Sequence, residues 1–264
     1  MVECGLDLDG KLLALAAASH SGEDFHVAGV REILARAGLD PQQLRCPPDL
    51  PLDESAQRAL LRGGGGPDRV HMNCSGKHAA MLATCVAAGW PTDGYRDPGH
   101  PLQLAIARKV GLLAGEPAAA TGVDGCGAPL FAIPVTGLAR AFRALVLAAP
   151  GSAERRVADA MRAYPEWTSG RTRPERALMA AVPGLLLKSG AEGVDAFALA
   201  DGRAGAFKID DGGQRARPAI TVALLAALGT DESLLAGLPA LARPPVLGGG
   251  QVVGEIRAKI PAGF

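Results

Sequence analysis

Four side chains with nucleophilic, basic or metal-binding groups stand together in the sequence MNCSGKHAAML, residues 72–82. They are Cys74, Ser75, Lys77 and His78. The apolar run behind them predicts a helix that ends near Gly89. Because residues three apart share a helix face, Cys74 and Lys77 are expected to point the same way, whereas Ser75 and Lys77 diverge. The helix dipole and Lys77 would both favour a thiolate at Cys74.

Cys126 is the natural companion of this pair, because the glycines around it in Asp124-Gly125-Cys126-Gly127 allow a tight backbone turn. Two thiolates and a neutral amine can hold a zinc ion and leave one position open, which is the layout of a catalytic zinc site. Ser75 has two readings, as the cap of the following helix or as a reactive hydroxyl.

Two further segments place hydroxyl and amine groups where they could react. Ser21 begins a Ser-Gly-Glu-Asp sequence, which is either a capping box for the next helix or a hydroxyl near a helix N-terminus. Lys188 ends an apolar strand, and is either an edge residue or a base aimed across the strand end. Lys208 alternates with Phe207 and Ile209, which indicates that it faces solvent.

Lysine is scarce in this chain, with six lysines among 27 basic residues, so a lysine in a polar cluster stands out. Unlike arginine, lysine can lose its proton and act as a base. The 264 residues carry no formal net charge, which gives no reason to expect nucleic acid or a membrane as a partner. With no apolar leader and five scattered cysteines, we expect a cytoplasmic protein with free thiols.

Helical periodicity dominates the first two thirds of the chain, and strand patterns come later. Helices are predicted at about residues 24–37, 53–62, 75–88, 101–113, 136–148, 153–163, 174–181 and 218–228. Between the last two lie three short apolar segments linked by tight turns, which predict an antiparallel meander. The expected fold class is therefore α/β (α+β), an antiparallel sheet flanked by helices.

Several motifs resemble the L-asparaginase II family, the rhizobial-type asparaginases. They are Ser19-His20-Ser21-Gly22-Glu23, Asn73-Cys74-Ser75-Gly76-Lys77-His78, Gly89-Trp90-Pro91, His100-Pro101, Asp124-Gly125-Cys126-Gly127-Ala128-Pro129 and Lys188-Ser189-Gly190-Ala191-Glu192-Gly193. The resemblance covers most of the chain. It implies hydrolysis of L-asparagine to L-aspartate and ammonia, on a fold similar to serine β-lactamases and glutaminases.

The resemblance also implies roles for particular residues. Serine–lysine chemistry would run beside a zinc ion held by Cys74, Lys77 and Cys126, with Asp124 as a catalytic residue next to the ligands. Ser21 matches the family's second catalytic serine, and Lys188 is its expected partner, with Lys208 as the fallback. The expected partners are the small substrate L-asparagine and a second copy of the chain as a homodimer.

One family feature is missing from this sequence. These enzymes carry a Ser-x-x-Lys near the N-terminus, and none of the eight serines here has a lysine three residues on. We therefore expect residues 1–264 to form a single asparaginase II-like domain that lacks the family's N-terminal segment and is impaired in activity. Two alternatives are a degenerate member that binds zinc or an amino acid without turnover, and a hydrolase with Cys74 or Cys126 as nucleophile.

Overall fold

The structure is a computed structural model that describes residues 1–261, and it has a mixed α/β architecture. The α-helices are α1 (Gly10–Ala16), α2 (Asp24–Arg36), α3 (Glu54–Arg62), α4 (Ser75–Ala87), α5 (Pro101–Ala114), α6 (Val135–Leu147), α7 (Ala153–Ala163), α8 (Pro165–Thr168), α9 (Pro174–Ala181), α10 (Arg217–Ala227), α11 (Glu232–Ala236) and α12 (Pro239–Ala242). The strands are β1 (Ala120–Val123), β2 (Pro129–Ala132), β3 (Leu186–Ser189), β4 (Val194–Ala198), β5 (Ala204–Lys208), β6 (Pro245–Gly248) and β7 (Gln251–Glu255).

The central sheet is the predicted meander, with β3, β4 and β5 antiparallel in that order. Successive side chains of β3 enter different hydrophobic clusters, because strand residues alternate between faces. Leu186 packs with Val146 of α6 and Met161 of α7, whereas Leu187 packs with Leu178 of α9 and Leu225 of α10. Helices thus cover both faces of the sheet, and Lys188 lies at the end of a buried strand.

The largest hydrophobic cluster joins α1, α2 and α4. Glycines let these helices approach closely: a Cβ on Gly76 would lie 2.6 Å from the carbonyl oxygen of Leu15, and one on Gly29 would lie 2.7 Å from a Leu15 methyl. This packing holds the end of α1 beside the start of α4. The segment after α1 is fixed there by a hydrogen bond from the His20 amide to the Asn73 carbonyl, at 3.0 Å.

The eight predicted helices and the meander are confirmed, with ends within one or two residues. The structure also contains elements that the sequence patterns did not predict. The apolar run at residues 11–18 forms α1 for most of its length, and the glycines at 248–250 link β6 to β7 in a hairpin, with positive φ at Gly249 and Gly250. Strand β1 is exposed along its length, so it shows no buried alternation.

None of the helices within residues 1–261 is both long and apolar enough to cross a membrane.

Candidate active site and metal centre

The serine–lysine pair of the structure is Ser19 with Lys188. Nζ of Lys188, on β3, lies 2.8 Å from Oγ of Ser19, which follows α1, and the ammonium also donates to the backbone carbonyl of Ser189. The Ser19 amide donates to the Thr168 carbonyl at 3.2 Å, which ties this segment to the end of α8. Two regions far apart in sequence thereby place a hydroxyl and an amine in direct contact.

Burial lowers the pKa of Lys188 to about 8, since an ammonium loses its hydration inside the protein. The carboxylate of Glu175 and the Cys74 sulfur oppose this shift, and the cations of Arg173 and Lys77 add to it. At pH 7, one unit below this pKa, about a tenth of the Lys188 side chains are therefore uncharged amines, far more than for an ordinary lysine. Such an amine can accept a proton from a neighbouring hydroxyl.

The structure does not bring Ser21 to Lys188. Oγ of Ser21 donates to Oε1 of Glu23 at 3.0 Å, and that carboxylate also accepts from the Arg171 amide at 2.9 Å. Gly170 packs over the hydroxyl so closely that a Cβ there would lie 1.9 Å from it. The hydroxyl in contact with Lys188 is that of Ser19, which sequence reasoning passed over although it stands in the same motif.

Glu23 also replaces Ser21 as the cap of α2. The Glu23 side chain accepts from the backbone amide of His26, and the His26 ring accepts from the Glu23 amide at 3.2 Å. The capping box proposed for Ser21 and Asp24 is therefore wrong, because an acidic side chain already occupies the N-cap position. Ser75 does not act as the helix cap either, since its buried Oγ donates to the Val70 carbonyl at 2.8 Å and lies 2.9 Å from Nε2 of His20.

The second cluster consists of Cys74, Lys77, Asp124 and Cys126, called here the cysteine–lysine cluster. The metal-binding atoms of Cys74, Asp124 and Cys126 all lie within 4.8 Å of one another. Nζ of Lys77 lies 3.4 Å from Sγ of Cys126 and 3.6 Å from Oδ2 of Asp124. These four residues lie together, as expected. Ser19 and Lys188 form a separate contact.

Two local features position the cysteine–lysine cluster. Cys74 occupies the N-cap position of α4, which places Lys77 on the same side one turn later. Asp124 and Cys126 lie in the turn between β1 and β2, closed by a hydrogen bond from the Gly127 amide to the Asp124 carbonyl at 2.8 Å. Gly127 has φ of +81°, a left-handed conformation that favours glycine at this turn.

Charge in the cluster is shared unequally between the two sulfurs. A hydrogen bond between them, followed by contributions from His78 and Lys77, lowers the pKa of Cys126, and the same bond together with burial raises the pKa of Cys74. Burial acts to lower the pKa of Lys77, but the two sulfurs and Asp124 outweigh it and raise the pKa. Cys126 is therefore the more acidic of the two thiols, and Lys77 favours its ammonium form.

A small polar cavity lies directly against the serine–lysine pair. Its volume is about 10 Å³, and it is lined by Ser19, Thr168, Ser169, Arg173, Glu175, Leu187, Lys188 and Ser189. Sequence reasoning missed Arg173 and Glu175. The available signal was the Arg-Pro-Glu sequence at residues 173–175, where charged residues flank a proline that begins a helix.

The family model described as Asparaginase_II, L-asparaginase II, matches residues 1–258. No curated protein shows significant similarity to the chain.

Proposed function

Because the chain belongs to the L-asparaginase II family, we propose that it hydrolyses L-asparagine to L-aspartate and ammonia by serine–lysine chemistry beside a zinc site. The observation that carries the proposal is the 2.8 Å contact between Nζ of Lys188 and Oγ of Ser19, made by a half-buried lysine whose pKa is lowered to about 8. We assign the nucleophile to Ser19, and the base to Lys188.

In the first half-reaction, the neutral Lys188 amine takes the proton of the Ser19 hydroxyl as Oγ attacks the side-chain amide carbon of asparagine. A carbon–oxygen bond forms and the amide carbonyl becomes a tetrahedral oxyanion. Lys188 then returns the proton to the departing nitrogen, the carbon–nitrogen bond breaks, and ammonia leaves.

The second half-reaction repeats these steps with water. Lys188 takes a proton from a water molecule as it attacks the Ser19 ester, and gives that proton back to Oγ when the ester breaks. L-aspartate leaves and Ser19 is regenerated. The base must be neutral at the start of each half-reaction, which is why a lysine with a lowered pKa suits the task.

The donor set of the cysteine–lysine cluster fits zinc, because thiolate sulfurs are preferred zinc ligands and a carboxylate lies within the same group. Cys74, Lys77 and Cys126 would hold the ion, and Asp124 would hold Lys77 in place. A bound zinc ion would supply a Lewis acid there. Cys74 and Lys77 must each release a proton to bind it.

Ser21 keeps a positioning role in this proposal. Through Glu23 it is connected to the Arg171 backbone, and therefore to the segment that leads into Arg173 and Glu175. Its loss would loosen this segment without removing a reacting group. A likeness of the fold to serine β-lactamases, and the single-domain organisation, remain predictions from the resemblance.

The proposal is tested by incubating the metal-loaded chain with L-asparagine and measuring ammonia and L-aspartate separately. We expect the two products in equal amounts, with none from a preparation carried through the same purification without the protein. Binding of asparagine and zinc without any aspartate formation would favour the non-hydrolysing alternative instead.

A further inference from the structure

The cavity beside Ser19 and Lys188 is lined by buried polar groups that have unused hydrogen-bonding capacity. Within the described part of the chain, Nε of Arg173, Oε2 of Glu175 and Oγ of Ser189 are buried and have no hydrogen-bond partner. Buried polar atoms of this kind are uncommon, and several at one place point to a bound molecule. Glu175 and Ser189 are respectively 3% and 6% exposed, so bulk water does not satisfy them.

We propose that this cavity is the subsite for the head group of an α-amino acid, with Glu175 binding the α-ammonium and Arg173 the α-carboxylate. The inference rests on the proposed function, since it places the substrate's side-chain amide at Ser19. The unused groups comprise a guanidinium donor, a carboxylate acceptor and a hydroxyl that can do either. That set is complementary to a zwitterion.

Glu175 is held rigidly for this purpose. Its Oε1 accepts from Arg173 and from the buried Arg217, both at 3.3 Å, which leaves Oε2 free. Arg217 is anchored in turn by Asp195 at 2.7 Å, and Thr221 donates to the other oxygen of Asp195 at 2.9 Å. Burial opposes ionisation of Glu175, yet the neighbouring arginines help to lower its pKa, so it remains a carboxylate able to bind an ammonium ion.

A movement of the Arg173 side chain would open the cavity to an amino acid. The cavity of about 10 Å³ has room for roughly one water molecule, so an amino acid enters only if a side chain moves. The Arg173 side chain is 31% exposed, whereas that of Glu175 is 4% exposed, so Arg173 can swing outward while Glu175 stays fixed. Side-chain rotations of this kind commonly accompany binding.

The test uses three ligands that differ by one head-group charge: L-aspartate, succinate, which lacks the α-ammonium, and β-alanine, which lacks the α-carboxylate. Their dissociation constants for the full chain are measured by calorimetry, which requires no turnover. We expect L-aspartate to bind at least about tenfold more tightly than either analogue, as charged hydrogen bonds warrant.

Variants then assign each charge to its residue. Glu175→Gln should weaken L-aspartate and β-alanine about tenfold or more and leave succinate within about threefold. Arg173→Gln should weaken L-aspartate and succinate and spare β-alanine. The matched control is Arg176→Gln, which alters an exposed arginine on α9, the helix that Arg173 precedes, and should change none of the three.

The pattern separates recognition from folding. A variant that merely unfolds would lose all three ligands together. Arg173→Gln alters a partly exposed residue and leaves the contacts of Arg217 with Glu175 and Asp195 in place, so it tests the idea with less disturbance of the buried network. No binding of L-aspartate, or equal binding of the three ligands in the unaltered chain, would overturn the inference and indicate a cavity that holds only water. The predicted pattern without ammonia release would support the subsite while refuting the proposed hydrolysis.

Discussion

Lys77 and Lys188 are both largely shielded from solvent, yet their surroundings move their pKa values in opposite directions. Burial opposes the charged form of each. Around Lys77 the two sulfurs and Asp124 overcome that effect and raise the pKa, whereas around Lys188 the burial effect prevails and the pKa falls to about 8. The lysine of the cysteine–lysine cluster is thus held as a cation, and the lysine beside Ser19 is poised to lose its proton.

The difference teaches that the charge balance around a shielded lysine decides its protonation. Lys77 lies beside Cys74, Cys126 and Asp124, and no arginine is among the groups that shift its pKa. Near Lys188 the negative charge of Glu175 is shared with Arg173 and Arg217, at 3.3 Å from each. Neutralised anions stabilise an ammonium ion only weakly. The Lys188 site therefore suits proton transfer near neutral pH, whereas Lys77 stays a cation until a metal ion displaces its proton.

Removing the amine of Lys188 is expected to have the largest effect. Lys188→Met keeps the stem that packs at the end of β3 but removes the base, so asparagine hydrolysis should fall by about 10² or more. The matched control is Lys208→Met, which alters an exposed lysine on β5 and should keep at least half of the activity. Loss of activity in the Lys208 variant alone would transfer the role of base to that lysine.

Zinc content tests the proposed metal site at the cysteine–lysine cluster. Cys126→Ala should lose the metal, because it removes a thiolate and leaves Cys74 and Lys77 without their common partner. Cys85→Ala removes a buried thiol on α4 that lies outside the cluster, and should retain about one zinc ion per chain. Elemental analysis after a chelator wash distinguishes them, and equal zinc contents would refute the site.

The pH dependence of hydrolysis should report the lowered pKa of Lys188. The reaction requires the neutral amine, so kcat/KM should rise with pH through a midpoint of about 8 and then level off. Steady-state ammonia release across this range is the measurement. A rate that stays flat, or that falls as the pH passes through this midpoint, would show that an unprotonated Lys188 does not limit the reaction.

The smallest effect is expected on stability in mild acid. Burial lowers the pKa of His26 to about 4 and that of His20 well below its ordinary value. In the unfolded chain both take up a proton below about pH 6.5. The unfolded state then binds more protons, so the free energy of unfolding should fall by about 1.4 kcal/mol per pH unit for each histidine as the pH drops.

Denaturant unfolding between pH 7 and pH 5, at roughly half-unit steps around the ordinary histidine pKa, measures this slope. His26→Gln should reduce it by about half, since one of the two titrating groups is gone. A free energy of unfolding that does not change with pH in this range would contradict the assigned burial of both rings.

The sequence predicted the structure correctly where the structure depends on residues that are close together in the chain. Cys74 and Lys77 could be placed on one face because helix periodicity fixes the direction of residues three apart, and the glycines around Cys126 indicated a turn. The buried meander could be predicted equally well, because its apolar segments are short and bounded by turns. The two exposed hairpins were harder to recognise, because exposed strands carry little apolar alternation.

The serine that contacts Lys188 could not be chosen from sequence. Ser19 and Ser21 stand in the same motif, and the choice depends on Glu23, which holds Ser21, and on the end of α8, which fixes Ser19. Both depend on contacts between distant parts of the chain. Arg173 and Glu175 were missed for a similar reason, since their roles depend on the cavity formed with β3.

The most direct test of the serine–lysine assignment compares Ser19→Ala with Ser21→Ala for ammonia release from L-asparagine, above the pKa of about 8 for Lys188. Each variant removes one hydroxyl from the same motif. We predict that Ser19→Ala loses activity by about 10² or more, while Ser21→Ala, which loses only its hydrogen bond to Glu23, stays within about tenfold of the unaltered chain. The reverse ranking, with Ser21→Ala inactive and Ser19→Ala active, would contradict the account.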